Sequence, residues 1–149
     1  MSSTRVRSSA HRYSAPKLRL LGAALFWLGV ARICVTLLPF RHTVRLLGLR
    51  PGESSAALAE TDLDSASRIA WAIAAGAARA PWSSTCMVQA LAASVLLHRA
   101  GIARTLHLGV ARDPASGDGF AAHAWVSVGA EVVVGQAERR HYTAVGSFS

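Results

Sequence analysis

Residues Pro81–Gly101 read PWSSTCMVQALAASVLLHRAG, and their local chemistry places one cysteine, Cys86, at the start of a helix. Ser83, Ser84 and Thr85 can each accept the hydrogen bond of a helix N-cap. Val88, Leu91, Ala92, Val95 and Leu96 then recur at helical spacing and form an apolar face. Gly101 ends the helix, with His98 and Arg99 in the last turn, where cations suit the dipole. Cys86 therefore meets the unpaired N–H groups and positive dipole end that favour a thiolate. Ala90, Ala93 and Ser94 on its own face are small, so a second element can approach closely. Downstream, Ala122–Val126 (AHAWV) offers a histidine, His123, on a predicted strand.

On the C-terminal side the apolar period changes from helical to alternating. Thr105–Ala111 (TLHLGVA) reads as a strand with Leu106, Leu108 and Val110 on one face and His107 and Gly109 on the other. Arg112–Gly119 (RDPASGDG) is a loop by its turn chemistry. Ala122–Val128 is the second strand, Gly129-Ala130 a tight hairpin turn, and Glu131–Val134 the third strand. From Gln136 onward the chain is polar until Tyr142 and Phe148.

On the N-terminal side, Ala80-Pro81 stops a long alanine-rich helix, Ser65–Arg79, with Asp62 and Asp64 as its caps and Ile69, Trp71, Ile73 and Ala77 among its buried candidates. Glu53–Glu60 is a linker or short helix, and Arg41–Leu49 a short amphipathic helix ended by Gly48 and the turn Arg50-Pro51-Gly52. Leu20–Phe40 is apolar enough to suggest a signal peptide or a membrane span. It lacks a small-residue cleavage site, Arg32 interrupts it, and its longest uncharged piece, Leu20–Ala31, is short for a span. Gly22, Gly29, Arg32 and Thr36 fall on one stripe, which predicts a buried helix with one exposed edge, or an interfacial helix. Residues 1–17 form a basic, Ser-rich tail, and 18–149 a single domain, helical over 18–101 with a sheet over 104–136. The expected fold class is α+β.

Charge is distributed unevenly. Residues 1–50 hold nine basic side chains and no acid, whereas all eight acids lie from Glu53 onward against seven arginines. Such a segment suits nucleic acid, an anionic membrane or an acidic peptide. The long aliphatic runs between its charges, and the lack of any zinc-finger, winged or RNP pattern, exclude nucleic acid. The two cysteines do not make a disulfide framework, which fits a reducing compartment, and Cys34 reads as a buried small hydrophobe. The six histidines form no metal-ligand spacing, and there is no nucleotide-binding motif, so no cofactor is expected.

Cys86 and His123 are the candidate catalytic pair, because a thiol nucleophile needs an imidazole and a group that holds that imidazole. Each also has an ordinary reading: a cysteine that packs, and a core histidine that is hydrogen-bonded. Trp82 and Trp125 flank the pair in sequence, whereas Trp27 and Trp71 read as core. His107 alternates with the apolar face and is expected to be exposed. Gln89 is either a solvated helix residue or a second oxyanion donor beside the Cys86 N–H.

Taken together, PWSSTCMVQAL, GIARTLHLGVARDP, AAHAWVSV and the closing Tyr142-Thr143 resemble the lasso-peptide leader peptidases, the transglutaminase-like B proteins of ribosomal-peptide biosynthesis. The resemblance covers roughly residues 18–145 and includes the apolar Arg-bearing helix leading into LLPFRHTVRLLG. It implies a transglutaminase/papain-like cysteine-protease core that cleaves the leader from a precursor peptide through a thioester acyl-enzyme. Cys86 matches the family nucleophile and His123 its general base. The family's third residue is an aspartate after a Val-Val-Gly type segment, where this chain has Val134-Gly135-Gln136. Gln136 is then the orienting residue, with Glu138 and Glu131 as substitutes.

Partners follow from the same resemblance. They are the precursor's leader region, a separate leader-recognition protein expected because no recognition domain precedes the peptidase region, and an ATP-dependent cyclase of the same pathway. The setting is cytoplasmic, with contact at the inner membrane face through residues 20–40 as an option. A transglutaminase-like acyltransferase and a catalytically impaired scaffold are the rival readings.

Overall fold

Pro16 occupies the first turn of the first helix, where its missing N–H costs nothing. The structure, a computed structural model, describes residues 14–55, 60–113, 119–136 and 139–149. Its elements in chain order are helices α1 (Ala15–Leu37), α2 (Phe40–Leu46), α3 (Glu60–Arg79) and α4 (Cys86–Arg99), then strands β1 (Thr105–Arg112), β2 (Phe120–Val128), β3 (Glu131–Val134) and β4 (Thr143–Phe148). A single 3₁₀ turn, Arg139–His141, precedes β4. The basic tail up to residue 13 and most of the Arg112–Gly119 loop lie outside the described residues.

α4 is the axis of the core. Val88 and every residue from Ala90 to Leu97 are buried, so the helix is enclosed on all sides rather than on one apolar face. α1 and α3 pack along it and the sheet closes the remaining side. The small residues make this possible: at Gly76 of α3 an added Cβ would lie 3.1 Å from Leu28 Cδ1 of α1 and 3.6 Å from Ala24 Cβ. Ala66, Ile69, Ala72 and Ile73 of α3 are buried in the same core.

The sheet is antiparallel, in the order β3-β2-β1-β4. Leu106, Ala124, Val126, Val128 and Val134 belong to the same buried cluster as the helices. Their alternates, His107, His123, Trp125 and Ser127, make a second set whose members contact one another. The β2–β3 hairpin turns at Gly129, with φ +58.

Several expectations are corrected. The sheet has a fourth strand, so it extends past residue 136 to Phe148. Thr143–Phe148 lacks a strong alternation because it is an edge strand, held by main-chain pairing to β1 and by Phe148 packing edge-on against Phe40 at 5.6 Å. α3 starts at Glu60, so Asp62 and Asp64 lie inside it instead of capping it, and Asp64 pairs with Arg68 one turn on. Trp71 is half-exposed rather than core, with the Lys17 ammonium 5.6 Å above its ring. α1 buries Ala24, Leu28, Ala31 and Cys34, and its open stripe is apolar: Leu18, Phe26, Ile33 and Leu37. With 23 residues it is long and apolar enough by composition to cross a membrane, yet one side of it is packed on α3 and α4.

Candidate active site

The start of α4 is fixed by a short run of polar contacts. Thr85 is the N-cap, its backbone extended, and its Oγ1 accepts from the Val88 N–H at 3.4 Å. Gln89 Nε2 donates to the Ser84 carbonyl at 2.8 Å, so this side chain ties the helix to the loop before it. Trp82 packs its ring edge on α1, where a Cβ at Gly29 would be 3.6 Å away. Of the three candidate caps, Thr85 takes the role; Ser83 is exposed. Cys86 is thereby held as the first residue of the helix, a half-buried free thiol, whereas Cys34 is buried in the core as expected.

His123 is 6% exposed, and its Nε2 lies 3.0 Å from the carbonyl oxygen of Gly135. A carbonyl only accepts, so Nε2 carries the proton and, in the neutral ring, Nδ1 is the basic nitrogen. Aromatic rings fix the plane: Trp125 stacks at 6.0 Å and Tyr142 tilts against it at 5.0 Å. Opposite His123 on β1 stands Gly109, where a Cβ would fall 2.6 Å from the Trp125 ring. His107, expected to be exposed, is half-buried: it stacks on Trp125 at 5.5 Å and its Nε2 is 2.8 Å from Ser127 Oγ.

The two residues belong to elements that pack on each other, α4 and β2. Met87, next to Cys86, shares an apolar cleft of about 290 Å³ with Leu108, Val35, Leu38, Phe40 and Thr43. Leu108 pairs with Ala124, the neighbour of His123. β3 stops at Val134, opposite Val126, so the half of β2 that carries His123 has no β3 ladder partner. The imidazole thus sits on the part of β2 beyond the β3 ladder, buried against Trp125 and Tyr142.

Behind His123 the structure places a main-chain group. Gly135 supplies a main-chain carbonyl to His123, at φ +81, and a Cβ there would lie 2.8 Å from both the Ala124 oxygen and Trp125 Cβ. Gln136, next in the chain, is exposed and lines a depression of about 370 Å³ against α3 together with Glu131, Leu63 and Ser67. Glu138 lies outside the described residues. A backbone oxygen leaves no residue-type signature; the trace in the sequence is the glycine itself at the end of β3. Among the described residues no group of three or more His, Cys, Asp or Glu could hold a metal ion.

A cysteine opening the central helix, a strand histidine and an antiparallel sheet after the helices define an α+β fold with a transglutaminase-like core. The chain belongs to the transglutaminase-like superfamily, whose core profile matches residues 30–147. The domain is accordingly that of a cysteine-dependent hydrolase or transferase. No curated protein and no solved structure matches the chain significantly.

Proposed function

We propose that this protein is a cysteine peptidase that removes the leader from a ribosomally made precursor, most specifically a lasso-peptide precursor. The observation that carries this reading is the fixed tautomer of His123: with Nε2–H on the Gly135 carbonyl, the basic nitrogen is Nδ1, as a thiol proton acceptor needs. The sequence resemblance supplies the substrate class. In the proposed reaction Cys86 Sγ attacks the scissile carbonyl carbon while its proton passes to His123. The backbone N–H at the start of α4 stabilises the oxyanion. The tetrahedral adduct collapses, the C–N bond breaks, and His123 gives its proton to the departing core amine. Water, deprotonated by His123, then hydrolyses the thioester, freeing the leader acid and the thiol.

Gln136, next to the Gly135 carbonyl, is the proposed orienting side chain, with Glu131 and Glu138 as the acidic alternatives. The precursor's leader, a separate leader-recognition protein and an ATP-dependent cyclase are the proposed partners, in the cytoplasm, with the apolar stripe of α1 available to a membrane surface. The amine-accepting transferase shares every step up to the thioester. The scaffold reading is favoured by one observation, Gln136 standing where the family has an aspartate.

Mass spectrometry of a lasso precursor incubated with the protein, with and without its recognition partner, tests this. Scission at one bond, giving a free leader acid, and loss of roughly 10³-fold or more in rate in Cys86→Ala and His123→Ala is expected. An amide-linked leader adduct would establish the transferase. An intact precursor under every condition, with the leader still bound, would sink the peptidase and leave the scaffold.

A further inference from the structure

The far end of α4 carries a second, unrelated cavity. It measures about 640 Å³, and Arg104, Arg45, Arg50, His98, Ser54 and Leu49 are among its lining residues. α4 spans 14 residues, so this cavity and Cys86 are separated by roughly 20 Å of helix. Among the described residues, no Asp or Glu lines it.

Arg104 is the residue that asks for an explanation. It is 7% exposed, its Nε donates to the Ser94 carbonyl at 3.1 Å, and its Nη2 is buried with no hydrogen-bond partner among the described residues. Burial lowers its affinity for its proton. A buried guanidinium without a counter-charge is costly, because its hydration is lost and nothing replaces it. Capping the helix end does not account for the outer nitrogens. The carbonyls of Leu96, Leu97 and His98 already accept from the N–H groups of Ala100, Gly101 and Ile102. Arg45 and Arg50 add two exposed guanidiniums at the mouth. Its rim is fixed by the reciprocal main-chain bonds between Arg50 and Ser149, at 2.9 and 2.8 Å.

We infer that this cavity is an oxyanion-binding site, with Arg104 as the buried anchor and Arg45 and Arg50 closing on the ligand from the mouth. Planar guanidinium forks match carboxylate and phosphate alike. The ligand is therefore a phosphate-bearing small molecule or an acidic peptide side chain, and the two are separated by experiment. The inference is independent of the peptidase reading, since none of these residues belongs to the Cys86–His123 site.

Calorimetric titration of the full chain with inorganic phosphate, pyrophosphate and N-acetyl-glutamate amide, against sodium chloride of equal ionic strength, tests it. At least one probe is expected to bind saturably, with a dissociation constant on the order of 1 mM or tighter. Arg104→Gln and the double variant Arg45→Gln/Arg50→Gln are each expected to weaken it by roughly tenfold or more, while Cys86→Ala leaves it unchanged. Saturation by the phosphates alone assigns the site to a phosphorylated ligand, and saturation by the glutamate probe to a peptide carboxylate. If Arg104→Gln does not fold, the double variant at the mouth decides. Absence of saturable binding by all three probes, or a less than tenfold loss in the folded variants, overturns the inference.

Discussion

At Gly135 two demands converge on one backbone position. Its carbonyl must face His123 Nε2, and its φ of +81 is one that side-chain-bearing residues rarely adopt. The Ala124 oxygen and Trp125 Cβ would also each be 2.8 Å from a new Cβ. Gly135→Ala is expected to cost about 1–3 kcal/mol of stability, read in a denaturant titration, because the turn must change conformation or push β2 aside. Its effect on the reaction is expected in kcat, at roughly 10²-fold, with KM little changed, since the loss is one of imidazole orientation. An equal loss in Gln136→Ala would instead move the orienting role to the amide side chain. Cys86 and His123 were legible as residues because their types carry chemistry. The Gly135 carbonyl beside His123 was not, since a main-chain oxygen belongs to every residue alike.

For the elements, legibility followed how much of the signal is local. α4 could be bounded from its candidate caps, Ser83, Ser84 and Thr85, and its closing glycine, because both signals act over a single turn. Thr85→Ala is expected to lower stability by about 0.5–1 kcal/mol, the low part of the N-cap range given its 3.4 Å bond, or roughly 1–4 °C in Tm by calorimetry. Thr85→Ser should restore most of it. α3 was placed five residues short at its start, since Asp62 and Asp64 suit a first turn as well as a cap. β4 was missed because an edge strand draws its stability from a partner far away in sequence. Its own six residues show no apolar alternation to find.

For the whole molecule, the one-sided sheet and the central helix leave α1 as an outer layer. The exposed side chains of Leu18, Phe26, Ile33 and Leu37 make a line of apolar surface along the helix. Replacing Phe26, Ile33 and Leu37 with Gln is expected to leave Tm nearly unchanged, since none of the three packs on the core. The same variant should shed self-association in light scattering and lose partition into anionic liposomes. A large drop in Tm would show that the stripe supports the core after all. The sequence predicted an exposed edge at Gly22, Gly29, Arg32 and Thr36; Gly22 and Thr36 are exposed and Arg32 is half-buried. Gly29 is in fact taken up by Trp82, a contact that arises only once residues 53 positions apart are brought together.

The order in which the sheet is assembled follows from the placement of β4. β1 and β2 can pair as soon as the hairpin between them is made, and β3 can add at once to the open side of β2. The other side of β1 waits for the last strand to be synthesised, because β4 passes over the hairpin to reach it. Until residue 148 has left the ribosome, β1 presents a bare row of N–H and C=O groups. Nascent chains halted between residues 135 and 143 are therefore the ones in which a chaperone would find an unsealed edge, after the cysteine helix and its histidine strand have both been made.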